Sequence, residues 1–345
     1  MVWFGIDRDL SRYDNGTLIF VSYNWNDSEP DCAENSALSD GTNLRLCDDT
    51  LNSILPIALH PGRPVVYVVF KTTNGQPSTV LDENQLVFPT IPADLTGIQS
   101  IPVSSLSRLR ASSTVDPAAR VEVVNVPASS IPLAFKHYPD LHDHQPKEEL
   151  LDELRLLLRI NSPYVIQPSH VVVQDNLFRG FLMPYFTQGS LAEVLRRSGQ
   201  ESLSWSVKAK WAFQISIAVA TLHEQASYCG DLKLDNTLVS DTCDICLIDV
   251  APTGGFTVDY VPPEAVDGER ITLTEARDIY ALGIILWAIA VHNADFHHEE
   301  IGSWEHTQVP IWYSKIVEEC LAQDPRDRPT ANVVVSRISQ IHVEC

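Results

Sequence analysis

The chain holds 345 residues, enough for two compact domains with a sizeable core. Its 44% hydrophobic and 20% charged residues exclude wholesale disorder and fibrous architectures. Acidic residues outnumber Lys plus Arg by 45 to 24, a formal charge of -21, which argues against a nucleic-acid partner or an anionic membrane surface, since both are gripped by clustered positive charge. Seven cysteines, an odd number spread over a long chain, do not form the pattern of a disulfide framework. Asp7 and Arg8 interrupt any apolar run at the amino terminus, so no secretory signal is expected. The most apolar stretch, Ile279 to Val291, falls short of the ~20 residues that cross a bilayer. A soluble, cytoplasmic protein is expected.

In chain order, residues 1–100 are rich in short strand-like runs, Thr17 to Tyr23 and Pro64 to Lys71. Between them Asn26 to Thr50 carries seven acidic residues and one Arg among Ser, Gly, Pro and Asn, the composition of a solvated loop. Pro89, Pro92 and Pro102 punctuate an expected linker. Three strands are expected next, at Leu106 to Ala111, Arg120 to Val126 and Pro132 to Tyr138. A helix follows from about Lys147 to Ile160, with Leu150, Leu154, Leu157 and Leu158 near helical spacing. Two more strands, Val171 to Gln174 and Phe178 to Met183, lead into a mostly helical remainder. There Leu191 to Arg197 and Val207 to Gln225 read as helices, the second with Trp211, Ile215, Ala218 and Leu222 on one face. A small sheet with one helix followed by a helical region is an α+β, two-lobed plan, and nucleotides commonly bind in such clefts.

Residues 228–239 read Y-C-G-D-L-K-L-D-N-T-L-V, and eighteen residues after Asp231 comes Leu247-Ile248-Asp249-Val250-Ala251. In these residues the chain resembles the eukaryotic-type protein kinases of the Ser/Thr kind: the D-L-K-x-x-N string, a strand pair and an apolar-Asp dipeptide match the catalytic loop and the metal-binding Asp. Further likenesses follow in order. Ala134-Phe135-Lys136 resembles the strand of the ATP-phosphate lysine, and Glu153 the helix glutamate that pairs with it. Tyr260 to Glu264 resembles the end of the activation segment, Asp278 to Gly283 the buried large-lobe helix, and Asp324 to Pro329 the late arginine motif. The resemblance runs from about 104 to 340. It implies ATP and Mg²⁺ as cofactors, with Asn236 and Asp249 as hard oxygen ligands for the metal. Lys136 would stand against the α- and β-phosphates, held by Glu153. Asp231 would accept the proton of the attacking hydroxyl, and Lys233 would offset charge on the transferring phosphoryl. In the family, Lys at that place accompanies Ser/Thr specificity. Thr257 sits where such kinases keep a threonine on the catalytic Asp and Lys.

The same match sketches an adenine site. Met183 is the gatekeeper, Pro184 offers only its carbonyl, Phe186 offers its N–H, and Val121, Ala134 and Leu238 sandwich the base, although all three also suit a plain core. Departures are equally plain. Counting back from Val121, the three glycine places fall on Thr114, Asp116 and Ala119, and residues 112–120 hold no glycine. Glycines let backbone N–H groups approach phosphate, and Asp116 would repel it. Cys229-Gly230 replaces the His-Arg pair, so an activation-loop phosphate lacks its usual partner. Val250-Ala251 replaces Phe-Gly, and Glu264 comes only fifteen positions after Asp249. Cys243 and Cys246 form a lone C-x-x-C at a large-lobe strand. The residues His297, His298, Glu299, Glu300, Glu305 and His306 read as a solvated loop, and so do His142 and His144.

The expectation is therefore a strand-rich accessory region over 1–100, then a kinase-like domain over 104–340 with a small β-rich lobe at 104–186 and a large helical lobe at 187–340. The first functional reading is a divergent Ser/Thr-type kinase acting on a protein substrate. The alternatives are a pseudokinase that binds nucleotide or scaffolds a partner and, from Gly230 and the short segment, a small-molecule phosphotransferase. No nucleic acid and no membrane are expected as partners.

Overall fold

The computed structural model describes residues 2–5, 18–23, 65–74, 76–81, 89–95, 97–111, 120–127, 129–137, 149–174, 176–199, 203–250, 255, 257–265, 272–304 and 309–342. Residues 26–50, the glycine-loop places at 112–119, His142 and His144, Ala251, and Glu305 with His306 lie outside them. The chain divides into two compact units, Met1–Pro89 with Tyr138–Pro146, and Thr90–His137 with Lys147–Cys345.

The first unit contains a four-stranded sheet of β1 (Val2–Gly5), β2 (Leu18–Tyr23), β3 (Val65–Thr73) and β4 (Gln76–Leu81), in that order. β2 and β3 are the two strand-like runs of the sequence, and they pair in parallel, Leu18 opposite Val65. β3 and β4 form a hairpin around Asn74, whose φ of 53° is the left-handed conformation that two-residue hairpin turns require.

The second unit opens with a six-stranded sheet in the order β5-β9-β10-β8-β7-β6. Its strands are β5 (Gln99–Pro102), β6 (Ser107–Ala111), β7 (Arg120–Asn125), β8 (Leu133–His137), β9 (His170–Gln174) and β10 (Leu177–Pro184). The proline-marked stretch expected to be a linker is in part structural. Thr90 bridges Leu177, and β5 adds itself in parallel to β9 with Gln99 opposite His170. Ile101, Val103 and Leu106 then pack on a cluster of Val124, Val126, Leu133, Phe135, Val172 and Leu182 on one face of the sheet. Gly180 is what lets β10 lie against β8: its φ is 146°, and a Cβ there would stand 2.2 Å from the Lys136 carbonyl oxygen.

One helix, α1 (Glu149–Arg159), lies in the chain between β8 and β9. Leu150, Leu154 and Leu157 are buried as their spacing predicts, but Leu158 is exposed, and Leu151 and Leu156 take the remaining inward places. The rest is helical apart from a two-stranded sheet of β11 (Thr237–Val239) and β12 (Ile245–Leu247). α2 (Leu191–Arg197) begins at a capping box in which Ser190 and Glu193 satisfy each other's backbone N–H. α3 (Trp205–Glu224) starts two residues before the expected Val207, because the Ser204 side chain caps its first turn. Trp211, Ile215, Ala218 and Leu222 are fully buried along it. α4 (Glu275–Val291) is buried on every side from Arg277 to Ala290, as a helix apolar all round must be. α3 and α5 (Ile311–Cys320) pack against α4, and α6 (Ala331–His342) packs against α3. No helix among the described residues is long and apolar enough to cross a membrane.

Candidate active site

The site begins on β8. Successive side chains of a strand face opposite ways. Leu133 and Phe135 enter the apolar cluster, so Ala134 and Lys136 share the other face. The Lys136 ammonium, on a residue 7% exposed, donates to both oxygens of Glu153 at 2.8 and 2.7 Å and to Asp249 Oδ1 at 2.5 Å. α1 delivers Glu153 from the same buried face as Leu150 and Leu154. Asp249 follows β12 with a φ of 58°, a left-handed conformation that Asp tolerates better than most residues. Burial works to discharge Lys136, but the Glu153 and Asp249 carboxylates outweigh it and raise its pKa, so the ammonium stays charged. For Asp249, burial pushes upward, yet Lys136 above all, with Lys233 behind it, holds the carboxyl below the usual carboxylate range. Its side chain keeps 41% exposure.

A second constellation lies on the catalytic-loop string. Lys233 Nζ donates to Asp231 Oδ2 at 2.5 Å and to Thr257 Oγ1 at 3.0 Å, and the Thr257 hydroxyl donates to Asp231 Oδ1 at 2.9 Å. Asn236 donates its amide nitrogen to the Asp231 carbonyl at 2.8 Å, while its own carbonyl accepts from Ile248 N at 2.9 Å, next to Asp249. The two constellations are thus joined through Asn236. Asp278, 2% exposed in the first turn of α4, accepts from Cys229 N at 2.8 Å and contacts His223 Nε2 at 3.0 Å, which fixes the loop from beneath. Glu264 and Arg328 form a bidentate pair at 2.6 and 2.7 Å.

The residues expected around adenine are distributed as follows. Strand register sets Ala134 beside Met183 and Val123, and Val121 beside Lys136. Pro184 is exposed and Phe186 half-buried where the chain leaves β10 for α2. Leu238, half-buried on β11, pairs with Cys246 and bridges Ser190. Of the lone C-x-x-C, Cys243 is exposed in a turn and Cys246 buried in β12; both are free thiols. Trp211 is core and donates its indole N–H to the Cys243 carbonyl. Sequence reasoning did not single out Arg277 or His223, and it quoted Glu264 and Arg328 without pairing them. A usable signal was present: Arg277-Asp278 is a charged pair heading an otherwise apolar helix.

The family model of the protein kinase domain matches residues 121–338, well over half of the chain. The chain belongs to the protein kinase family. Among curated kinases it is 28% identical over 182 residues to a mitogen-activated protein kinase kinase kinase of Caenorhabditis elegans, covering 49% of this chain and 32% of that one. It is 26% identical over 231 residues to receptor-interacting serine/threonine-protein kinase 2 of Bos taurus (58% and 41%) and 24% identical over 185 residues to receptor-interacting serine/threonine-protein kinase 1 of Homo sapiens (46% and 27%). The chain therefore spans less than half the length of these relatives. The six-stranded sheet with α1 and the helical remainder are the small and large lobes of this family's two-lobed α+β fold.

The residues present suit a magnesium ion carried with a polyphosphate. Among the described residues no group of three His, Cys, Asp or Glu could cage a metal. Mg²⁺ asks for less, since it keeps several waters and is held by one or two carboxylates plus substrate phosphates. Asp249, partly exposed, and the amide oxygen of Asn236 are the protein ligands such an ion would find.

Proposed function

We propose that the second unit is an active kinase of the Ser/Thr type, transferring the γ-phosphoryl group of ATP to a hydroxyl of a protein substrate. What supports this most is the meeting of Lys136 with both Glu153 and Asp249, residues 17 and 113 positions away in the chain. In the proposed reaction the bond from the γ-phosphorus to the bridging oxygen breaks and one to the substrate oxygen forms. The hydroxyl proton passes to Asp231 and ADP leaves. Asp231 is suited to orient that hydroxyl because Lys233 and Thr257 each hold one of its oxygens. Lys233, fixed between Asp231 and Thr257, would turn toward the transferring phosphoryl and offset its charge. Lys136, fixed by Glu153, would stand against the α- and β-phosphates. Met183, Pro184 and Phe186 would meet the adenine, with Val121, Ala134 and Leu238 on its faces. Asp249 and Asn236 would hold a magnesium ion, which would neutralise charge on the polyphosphate. The free thiols Cys229, Cys243, Cys246 and Cys320 suit the cytoplasm as the place of work.

A second reading is favoured by the sequence at 112–120, where Asp116 stands in a segment without glycine: a pseudokinase that binds a nucleotide or a partner protein without transfer. Labelling with radioactive ATP and Mg²⁺ separates the two. The wild-type chain should label itself or a basic protein substrate, and Asp231→Asn should lower this by about 10²–10⁴-fold. Equal, background labelling by both would leave the pseudokinase; phosphate on a metabolite and never on protein would point to a small-molecule phosphotransferase.

A further inference from the structure

The first turn of α4 carries two consecutive charged residues that grip the backbone of two consecutive residues of the catalytic loop. Asp278 accepts from Cys229 N, and the neighbouring Arg277 donates from Nη2 to the Gly230 carbonyl at 2.8 Å. The same nitrogen donates at 2.5 Å to the carbonyl of Gly255, in the activation segment. Arg277 is 6% exposed, and both of these acceptors are backbone carbonyls. A buried guanidinium is retained at a cost unless its donors are used. Here Nη2 is spent on joining two loops. Thr274 caps the Arg277 backbone N–H at 3.1 Å, so the side chain springs from a fixed helix end.

The join sits directly beneath the reacting groups. Gly230 has a φ of 81°, a conformation that side chains resist, and its carbonyl is thereby presented to α4. The backbone of Gly255 lies against Asp231: a Cβ added at Gly255 would be 3.5 Å from Asp231 Cβ. Two residues later Thr257 holds Asp231 and Lys233 together. Arg277, Asp231 and Thr257 line one small cavity between the two loops.

We propose that Arg277 is a positioning residue: by tying the Gly230 carbonyl to the Gly255 carbonyl it keeps Thr257 on Asp231 and Lys233, so that Gly255 and Thr257 are held by a cation from α4 with no need of a phosphate. The proposal rests on the phosphotransfer reading above. It supplies from below the positive charge that Gly230, having no side chain, cannot supply from the loop. A phosphate on the segment would then not be needed to hold this contact.

The test uses the full chain with Arg277→Met and Arg277→Lys, read by steady-state kinetics and by hydrogen exchange. In Arg277→Met, kcat should fall about 100-fold with KM for ATP unchanged, since a displaced reacting group costs rate more than nucleotide affinity. Arg277→Lys, which keeps the charge with a shorter reach, should lie between. Amides of 257–265 should exchange faster in Arg277→Met while those of 279–290 stay protected, a pattern that general loosening of α4 would not give. Treating the wild type with a protein phosphatase should leave its rate unchanged. Wild-type kcat with unchanged exchange in Arg277→Met overturns the assignment, and so does loss of wild-type activity on dephosphorylation. If the wild type transfers no phosphate at all, the phosphotransfer reading fails, and the exchange comparison alone decides the clamp. If Arg277→Met does not fold, Arg277→Lys decides it on the same two readouts.

Discussion

Two buried cations in the second unit are paired in opposite ways. Arg328, with a side chain 0% exposed, donates to both oxygens of Glu264 and to the carbonyls of Ala322, Ala276 and Gln323, and lies 4.9 Å over the Tyr280 ring. One carboxylate answers one guanidinium, and three backbone oxygens take up the remaining donors. Lys136, also buried, is answered by two carboxylates, and one of them, Asp249, keeps 41% exposure. The first arrangement balances its charge, with every guanidinium donor used. The second carries surplus negative charge at an open edge, which suits a site waiting for a divalent cation and a polyphosphate. Surplus charge, rather than burial or a perturbed pKa, distinguishes the proposed phosphate site from the Glu264–Arg328 staple.

A large effect on stability is expected at the Glu264–Arg328 staple. Arg328→Met leaves Glu264 without its partner. Breaking a buried pair costs about 3–5 kcal/mol, and the exposure of Glu264 places this case near about 3. A thermal midpoint lower by roughly 6–12 °C is expected, with the stabilisation by Mg-ATP intact. Lys136→Met should instead lose its response to Mg-ATP. Saturating Mg-ATP at 100 times its dissociation constant stabilises a binder by about 2.7 kcal/mol, and this increment should vanish in the variant. A Mg-ATP response kept by Lys136→Met and lost by Arg328→Met would erase the distinction between site and staple.

How much of this was legible in the sequence depends on the range over which each feature is determined. Asp231, Lys233 and Asn236 sit within six residues, so their string carries its own geometry, down to the Asn236 bond to the Asp231 carbonyl. The core of α3 was legible because Trp211, Ile215, Ala218 and Leu222 repeat at the helical period. α1 was half legible: with Leu156, Leu157 and Leu158 in succession the helical phase is ambiguous, and only packing decides that Leu158 faces outward. β5 was not legible. Gln99–Pro102 has neither alternation nor β-branched enrichment beyond Ile101, and its backbone pairing with β9 leaves no mark in the side chains. Asn74-Gly75 did carry the two-residue hairpin signal that joins β3 to β4, and Ser204 the N-cap that starts α3. The Glu264–Arg328 pair spans 64 residues, and the Arg277 bonds to Gly230 and Gly255 span 47 and 22. No local pattern encodes such distances.

The smallest effect is a pH dependence that both clusters should share. Burial tends to raise the Glu264 carboxyl, but its bonds to Arg328 outweigh this and hold it below the usual range, as Lys136 does for Asp249. A carboxyl whose pKa is lower in the folded protein than in the unfolded chain binds fewer protons when folded. Its contribution is complete above the unfolded value, near pH 4, and is lost as pH falls through the folded value. Melting temperature should therefore hold steady through neutrality and drop in acid. Both carboxylates are at least a third exposed, so solvent screens their pairs and the drop attributable to either is modest. Glu264→Gln should melt lower at neutral pH and show a shallower acid limb than the wild type. Parallel acid limbs in the two proteins would mean that the Arg328 pair contributes nothing to the titration, and the drop would then have to be assigned to other carboxylates.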